Sequence, residues 1–194
     1  TIDFIDLGSG FKVPYKDEDH ETNLEELGAI LGARFNEFCK DYGKDLKLIF
    51  EPGKFLVSES GKFLAKVNVI KQTQNINFVG VDSGLNHLMR PMMYDAYHRV
   101  HNISNPDGKK ENYNVVGYIC ETDTFAESRQ LGKVSEGDII CMDNAGAYCF
   151  SMSSNYNSRF KPAEVLVIKG QDFLIREREK MEDILKGQII IDTL

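Results

Sequence analysis

No stretch of this chain approaches the roughly 18 consecutive apolar residues that a membrane-spanning helix needs. It carries no secretory signal pattern, no internal repeat and no low-complexity segment. Positive charge is in deficit: 23 lysines and arginines face 30 aspartates and glutamates, a formal net charge of −7. Phosphate backbones are bound by a positive face, so nucleic acid is excluded as the main partner, and nothing points to a membrane. Cysteine is sparse and badly spaced for a metal. Cys39, Cys120, Cys141 and Cys149 form no CxxC pair and have no histidine at a zinc-site spacing. They read as free thiols of a reducing cytoplasm rather than as a disulfide framework. There is no initiating methionine either; a chain that starts at Thr1 is processed or, the preferred expectation, part of a longer protein.

What is present suits an ordinary globular chain of 194 residues, 42% hydrophobic and 27% charged, with room for one large domain or two small ones. Residues 2–7 (IDFIDL) form a short apolar run closed by Gly8-Ser9-Gly10, a buried strand entering a glycine turn. Over residues 23–42, Leu24, Leu27, Ile30, Leu31, Phe35 and Phe38 recur at helical steps. Residues 47–50 (KLIF) are a second buried strand, stopped by Glu51-Pro52-Gly53. Strand, helix and strand in this order make a βαβ unit with parallel strands and a right-handed crossover. Two parallel strands alone leave their edges unpaired and an apolar face uncovered, so the unit is expected to belong to a larger barrel or doubly wound sheet.

After Gly61 the pattern changes to short strands: KFLAKVNVIKQT, NFVGVD, AYHRVHNI, NYNVVGYI, DIICMDN and EVLVIKG. Turn residues such as Asn105-Pro106-Asp107-Gly108 separate them, and the spacing predicts an antiparallel barrel or sandwich. LNHLMRPMMYDA is a helical or irregular excursion, and residues 173–185 mix strand and helix signals.

Several constellations are able to carry chemistry. Gly8-Ser9-Gly10 is either a phosphate cradle, since small residues let amides approach an anion, or a structural turn. Glu51-Pro52-Gly53-Lys54 follows the second strand, at the strand end where parallel barrels collect reactive groups. Arg90 and Tyr94 are four apart; on a helix they share a face suited to a carboxylate, as would a surface arginine packed beside an aromatic. Small residues flank Tyr148 and give its ring room, while the Ser- and Asn-rich run that follows equally suits an exposed loop. His98 and His101 would face opposite sides of a strand, so no metal pair is expected. Cys120 ends an apolar run and precedes Glu121 and Asp123. A neighbouring carboxylate raises a thiol's pKa, leaving a poor nucleophile but a reasonable proton donor. The competing reading is a small apolar residue ending a buried strand.

EPGKFLVSESG, VDSGLNHLMRPMMYDAYH, VVGYICETDTFA and AGAYCFSMSSNYNSRFKPAEVLV stand in this order. With these four motifs the chain resembles the C-terminal half of the diaminopimelate decarboxylase family, a branch of the fold-type III pyridoxal-phosphate proteins that includes ornithine and arginine decarboxylases. The resemblance covers essentially the whole chain. It implies an α/β plus all-β architecture: the last βα units of a (β/α)8 TIM-like barrel at residues 1–60, then an antiparallel β-barrel or sandwich domain at residues 61–194. It implies pyridoxal 5′-phosphate as cofactor, a small amino-acid substrate and a homodimer whose active sites are shared across the interface. The implied reaction is decarboxylation of meso-2,6-diaminoheptanedioate to L-lysine, the last step of lysine biosynthesis. A sister decarboxylase acting on carboxynorspermidine, or a non-catalytic relative that binds a partner, are the alternatives.

Roles follow from position within the motifs. Gly8, Ser9 and Gly10, where the family usually has three glycines, would hold the cofactor phosphate through their amides. Glu51 would pair with the pyridine nitrogen, and Pro52, Gly53 and Lys54 would lie by the phosphate. Lys54 stands where arginine is usual, which keeps the charge but loses the bidentate fork for a substrate carboxylate. Arg90 and Tyr94 match the clamp on that carboxylate, and Tyr148 the tyrosine that bonds the phosphate near the substrate. Glu121 matches the acid that receives the substrate's distal ammonium, and Cys120 the thiol that returns a proton to the reacting carbon. Both would act in the partner subunit's site. No lysine stands where the family bonds one to the cofactor, so the chain by itself is expected to be inactive.

Overall fold

The computed structural model describes residues 1–191. Strand β1 (Phe4–Asp6) pairs in parallel with β2 (Lys47–Ile49), and helix α1 (Leu24–Tyr42) makes the crossover. Local signals set the ends of α1. Asn23 caps it by accepting from the Glu26 amide at 3.2 Å, Glu25 and Glu26 favour the positive N-terminus, and Gly43 closes it in the left-handed region at φ 76. Cys39 is the one buried residue of α1, whereas Phe4 and Ile30 are each 56% exposed. The two-stranded unit thus shows the uncovered apolar surface that its sequence implies.

The core lies in a six-stranded sheet built from β3 (Phe63–Gln72), β4 (Asn77–Val81), β5 (Val100–Asn102), β6 (Lys110–Val116), β7 (Thr124–Gly132) and β8 (Ile139–Met142). Their order is β5-β8-β3-β4-β6-β7, and the edge strands β5 and β7 approach each other, so the sheet is nearly a closed barrel. Alternate residues of β3 (Phe63, Ala65, Val67) point inward and meet Val79, Val81, Val115, Phe125, Ile140 and Met142. Neighbours are antiparallel except β4 and β6, which run parallel. The chain between those two crosses over, carrying the short helix α3 (Arg90–Tyr94) and β5, and so returns in its original direction.

A separate antiparallel hairpin follows, β9 (Glu164–Ile168) with β10 (Gln171–Arg176). Lys169 and Gly170, at φ 52 and 77, make its tight turn. The ambiguous 173–185 segment resolves into the end of β10 and helix α4 (Met181–Leu185). Among the described residues no helix is long and apolar enough to cross a membrane.

A close backbone approach helps tie the strand ends to the barrel. Helix α2 (Gly53–Val57) leads through a 3-10 turn to Gly61, which passes directly against Gly146. The Ala145 amide donates to Gly61 O at 2.8 Å and the Gly146 amide to Ser58 O at 2.9 Å. A Cβ on Gly146 would stand 1.8 Å from the Val57 carbonyl oxygen. Backbone blocks it on that side, so Gly146→Ala is expected to cost at least the roughly 1–3 kcal/mol of an overpacked core. Urea denaturation checks this; a wild-type midpoint would contradict the close approach.

Candidate active site

The parallel strands end side by side. The Leu7 amide donates to Ile49 O at 3.1 Å and the Glu51 amide to Gly8 O at 2.6 Å. The glycine turn and the Glu-Pro-Gly segment therefore flank one another at the C-terminal end of the pair. Gly8 and Gly10 adopt φ 67 and 132, conformations that residues with side chains rarely take, and nothing lies within 4 Å of where a Cβ would be. The Gly8 amide is occupied by Asp6 Oδ1 at 2.8 Å, whereas those of Ser9 and Gly10 have no partner among the described residues.

The barrel side supplies Tyr148 and Arg90. Tyr148, at φ 56, sets its hydroxyl 3.7 Å from where a Cβ on Gly53 would be. The Arg90 guanidinium lies 5.8 Å from the Tyr15 ring centroid and 5.7 Å from that of Tyr148. Its Nε is buried without a hydrogen-bond partner among the described residues, an unmet donor that an anionic ligand would satisfy. Lys54 stands 5.8 Å over the other member of that ring pair, Tyr15. Tyr94 ends α3 one turn from Arg90, is 59% exposed and makes no ring contact with the guanidinium.

Tyr15 was not singled out from the sequence. Its signal is faint: Phe11, Val13 and Tyr15 alternate along an extended stretch. Phe11 packs 5.6 Å from both Phe50 and Phe55, Asn144 Nδ2 donates to Pro14 O at 3.0 Å, and Tyr15 meets His98 edge-on at 5.7 Å.

This donor set fits a pyridoxal phosphate. Two unpartnered amides, a tyrosine hydroxyl and two cations suit a phosphate and an amino-acid carboxylate, and Glu51, exposed and unpaired among the described residues, suits a ring nitrogen.

A second group stands apart, joined to the first by no hydrogen bond, ion pair or ring contact among the described residues. It occupies the loop between β6 and β7. Cys120 does not end a buried strand: β6 stops at Val116, Ile119 is the buried residue, and Cys120 is exposed. The reason is Asp123, which turns inward and accepts from the amides of Leu85 at 2.7 Å and Ile119 at 2.8 Å. Gly117 and Gly84 make room, since a Cβ on either would lie 2.1 or 2.6 Å from Asp123 Oδ2. Burial pushes the Asp123 carboxyl above its usual range. With this carboxylate inside, Cys120 and Glu121 project from the tip.

At the tip the Cys120 thiol donates to Glu121 Oε2 at 3.3 Å, and the Tyr156 hydroxyl donates to Glu121 Oε1. Asn157 Nδ2 lies 3.8 Å from Cys120 Sγ. The Tyr156 hydrogen bond, with smaller help from the Glu121 amide and the thiol, holds the Glu121 carboxyl below the ordinary carboxylate range. The other cysteines are buried, and burial pushes Cys141 up to about 11 and Cys149 up to about 12.

Comparison with known proteins finds two related domains. The pyridoxal-binding domain of pyridoxal-dependent decarboxylases matches residues 1–58, and the C-terminal sheet domain of the same enzymes matches residues 45–146. The diaminopimelate decarboxylase of Methanothermobacter thermautotrophicus is 42% identical over 190 residues, 96% of this chain and 44% of that protein. A crystal structure of the M. jannaschii diaminopimelate decarboxylase superposes with a TM-score of 0.89 at 37% identity, over 98% of this chain and 44% of the other. The Helicobacter pylori diaminopimelate decarboxylase, crystallised with L-lysine, gives 0.78 at 35% identity, over 94% and 44%. The chain thus spans less than half the length of the relatives it matches. With a sheet-domain match over more than half of its residues and the strand-end glycines and Glu-Pro-Gly segment inside the pyridoxal-binding match, the chain belongs to the pyridoxal-dependent decarboxylases.

Proposed function

We propose that the full-length protein decarboxylates meso-2,6-diaminoheptanedioate to L-lysine, at a site that two copies of the chain complete together. The observation that carries this reading is the separation just described. One group gathers free amides, an unmet arginine donor and tyrosines, while the other exposes a thiol and a carboxylate that nothing in the first group contacts. In a symmetric dimer each copy offers its Cys120–Glu121 tip to the other's strand-end group. Residues 1–60 then complete a barrel and residues 61–194 form the β domain. Free thiols suit a cytoplasmic enzyme.

The bound cofactor supplies an electron sink for the pair left behind by departing CO2. The amides of Ser9 and Gly10 and the Tyr148 hydroxyl hold its phosphate, Gly8 and Gly53 leave room for it, and Glu51 pairs with its pyridine nitrogen. Pro52, three residues beyond the end of β2, is the N-cap of α2 between Glu51 and Gly53, and Lys54 adds positive charge. Arg90, with Tyr94, grips the distal carboxylate of the substrate and Glu121 its distal ammonium. Cys120 gives its S–H proton to the carbon that has lost CO2 and regains one from water.

Substrate choice follows from charge. Ornithine brings a distal ammonium and no distal carboxylate, so Arg90 stays unpaired at a cost of about 1–3 kcal/mol, more because it is charged. The test is competition among meso-2,6-diaminoheptanedioate, L-ornithine and carboxynorspermidine on the full-length protein. The expected kcat/KM for the first exceeds both others by about tenfold or more. Equal or better turnover of carboxynorspermidine would assign the sister activity instead.

A further inference from the structure

Two residues to which the motifs gave no role meet the Cys120–Glu121 tip from a distant part of the chain. They lie on the 3-10 turn Tyr156–Ser158, where Asn157 and Ser158 adopt successive left-handed conformations at φ 53 and 56. Two side-chain-bearing residues in that region are strained, and such strain persists where the surroundings over-determine it.

The surroundings do so here. Asn155 Nδ2 donates to Arg159 O at 3.0 Å and to Glu179 Oε2 at 2.5 Å, and the Ser158 amide to Asn155 O at 2.9 Å. Tip and turn also share one support, the segment 85–87. The Leu85 amide binds the Asp123 carboxylate of the tip loop. Asn86 O accepts from the Ser154 amide at 2.8 Å, and His87 Nε2–H donates to Phe160 O at 2.8 Å, on either side of the turn. Three successive residues therefore fix where Asn157 stands relative to Cys120.

We propose that Tyr156 and Asn157 are positioning residues for the Cys120–Glu121 pair: Asn157 steadies the sulfur after its proton has left, and Tyr156 orients the carboxylate for a cationic group. The assignment rests on Cys120 as the proton donor. While the thiol is protonated, Glu121 accepts from it. Once the S–H bond breaks and the proton moves to carbon, the sulfur is an anion beside a carboxylate. Among the described residues the one donor then reaching it is the Asn157 amide. Arg159, two residues after Asn157, is engaged 4.4 Å over the Tyr118 ring.

The experiment follows iodoacetamide labelling of Cys120 against pH in the full-length protein, by mass spectrometry of the tryptic peptide 111–129, which holds no other cysteine. Asn157→Gly removes the amide and suits the left-handed backbone. It is expected to raise the pH of half-maximal labelling by about half a unit to one unit. Asn157→Asp, which keeps a side chain tolerant of this backbone, raises it further by adding a negative charge. Ser158→Gly relaxes the turn without touching either contact and leaves the profile in place. Tyr156→Phe raises KM more than it lowers kcat, and shifts the acid limb of kcat/KM to higher pH, because the bond holding the Glu121 carboxyl down is gone. Unmoved labelling in both Asn157 variants overturns the role of Asn157. An unmoved KM and acid limb overturn that of Tyr156. Labelling does not require turnover: if Cys120→Ala keeps full activity while Asn157→Gly still shifts the profile, the proton-donor reading fails and the contact with the sulfur stands.

Discussion

Cys120→Ala in the full-length protein is expected to lower kcat by about 100-fold or more, within the 10²–10⁴ range that a positioned general acid contributes. The fall should appear equally in kcat/KM, with KM nearly unchanged, if the thiol acts on the reacting carbon and not on substrate binding. Cofactor affinity should hold, since Cys120 has no part in binding the phosphate or the ring nitrogen in the proposed site. Stability should stay within about 0.5 kcal/mol, as for surface substitutions generally, because Cys120 is exposed. Steady-state kinetics and denaturant unfolding of one preparation separate these effects. A wild-type kcat would remove the thiol from the reaction, and a large stability loss would make it a structural residue.

Arg90→Met is expected to separate activity and stability in the opposite sense. If Arg90 grips a desolvated carboxylate, its loss costs roughly 2–5 kcal/mol in transition-state binding, about 30-fold or more in kcat/KM. In the free protein the guanidinium has a buried, unpartnered Nε and two distant ring contacts. An apolar side chain of similar length removes the unmet donor, worth about 1–3 kcal/mol, and forfeits cation–ring attraction of about 0.5–1 kcal/mol each. Unfolding free energy should therefore stay level or rise while activity collapses. Loss of both together would mean that Arg90 holds the fold rather than the substrate.

The βαβ unit was legible because its signals are local. The helical period of α1 and the glycine-bearing turns after the two strands are written within a few residues of where they act. The parallel direction of β4 and β6 was not, because strand direction depends on where the crossover returns and leaves no mark on alternation. Strand β7 was hidden for a different reason: Ser128, at φ 51, sits in a bulge that breaks the period of two. β10 escaped because all of its residues are exposed, so burial gives it no alternation to read.

In the site, Gly8, Gly10 and Glu51 could be picked out because each motif directly follows a strand. The placing of Cys120 could not be settled locally. Its apolar run suggested burial, and the residue that turns it outward is Asp123, held by the amide of Leu85, 38 positions away. The Ser- and Asn-rich run was readable as unlike a core strand, but its meeting with the Cys120 loop is a property of the fold.

Two defective forms of the full-length protein test the shared site most directly. Cys120→Ala spoils the tip and Arg90→Met the strand-end group, and each alone should form little L-lysine from meso-2,6-diaminoheptanedioate. Unfolded together and refolded in equal amounts, half of the dimers are mixed, and each mixed dimer has one site with both groups intact. L-Lysine formation should recover to about a quarter of the wild-type rate. A mixture no more active than its two parents would contradict a site built from two copies of the chain.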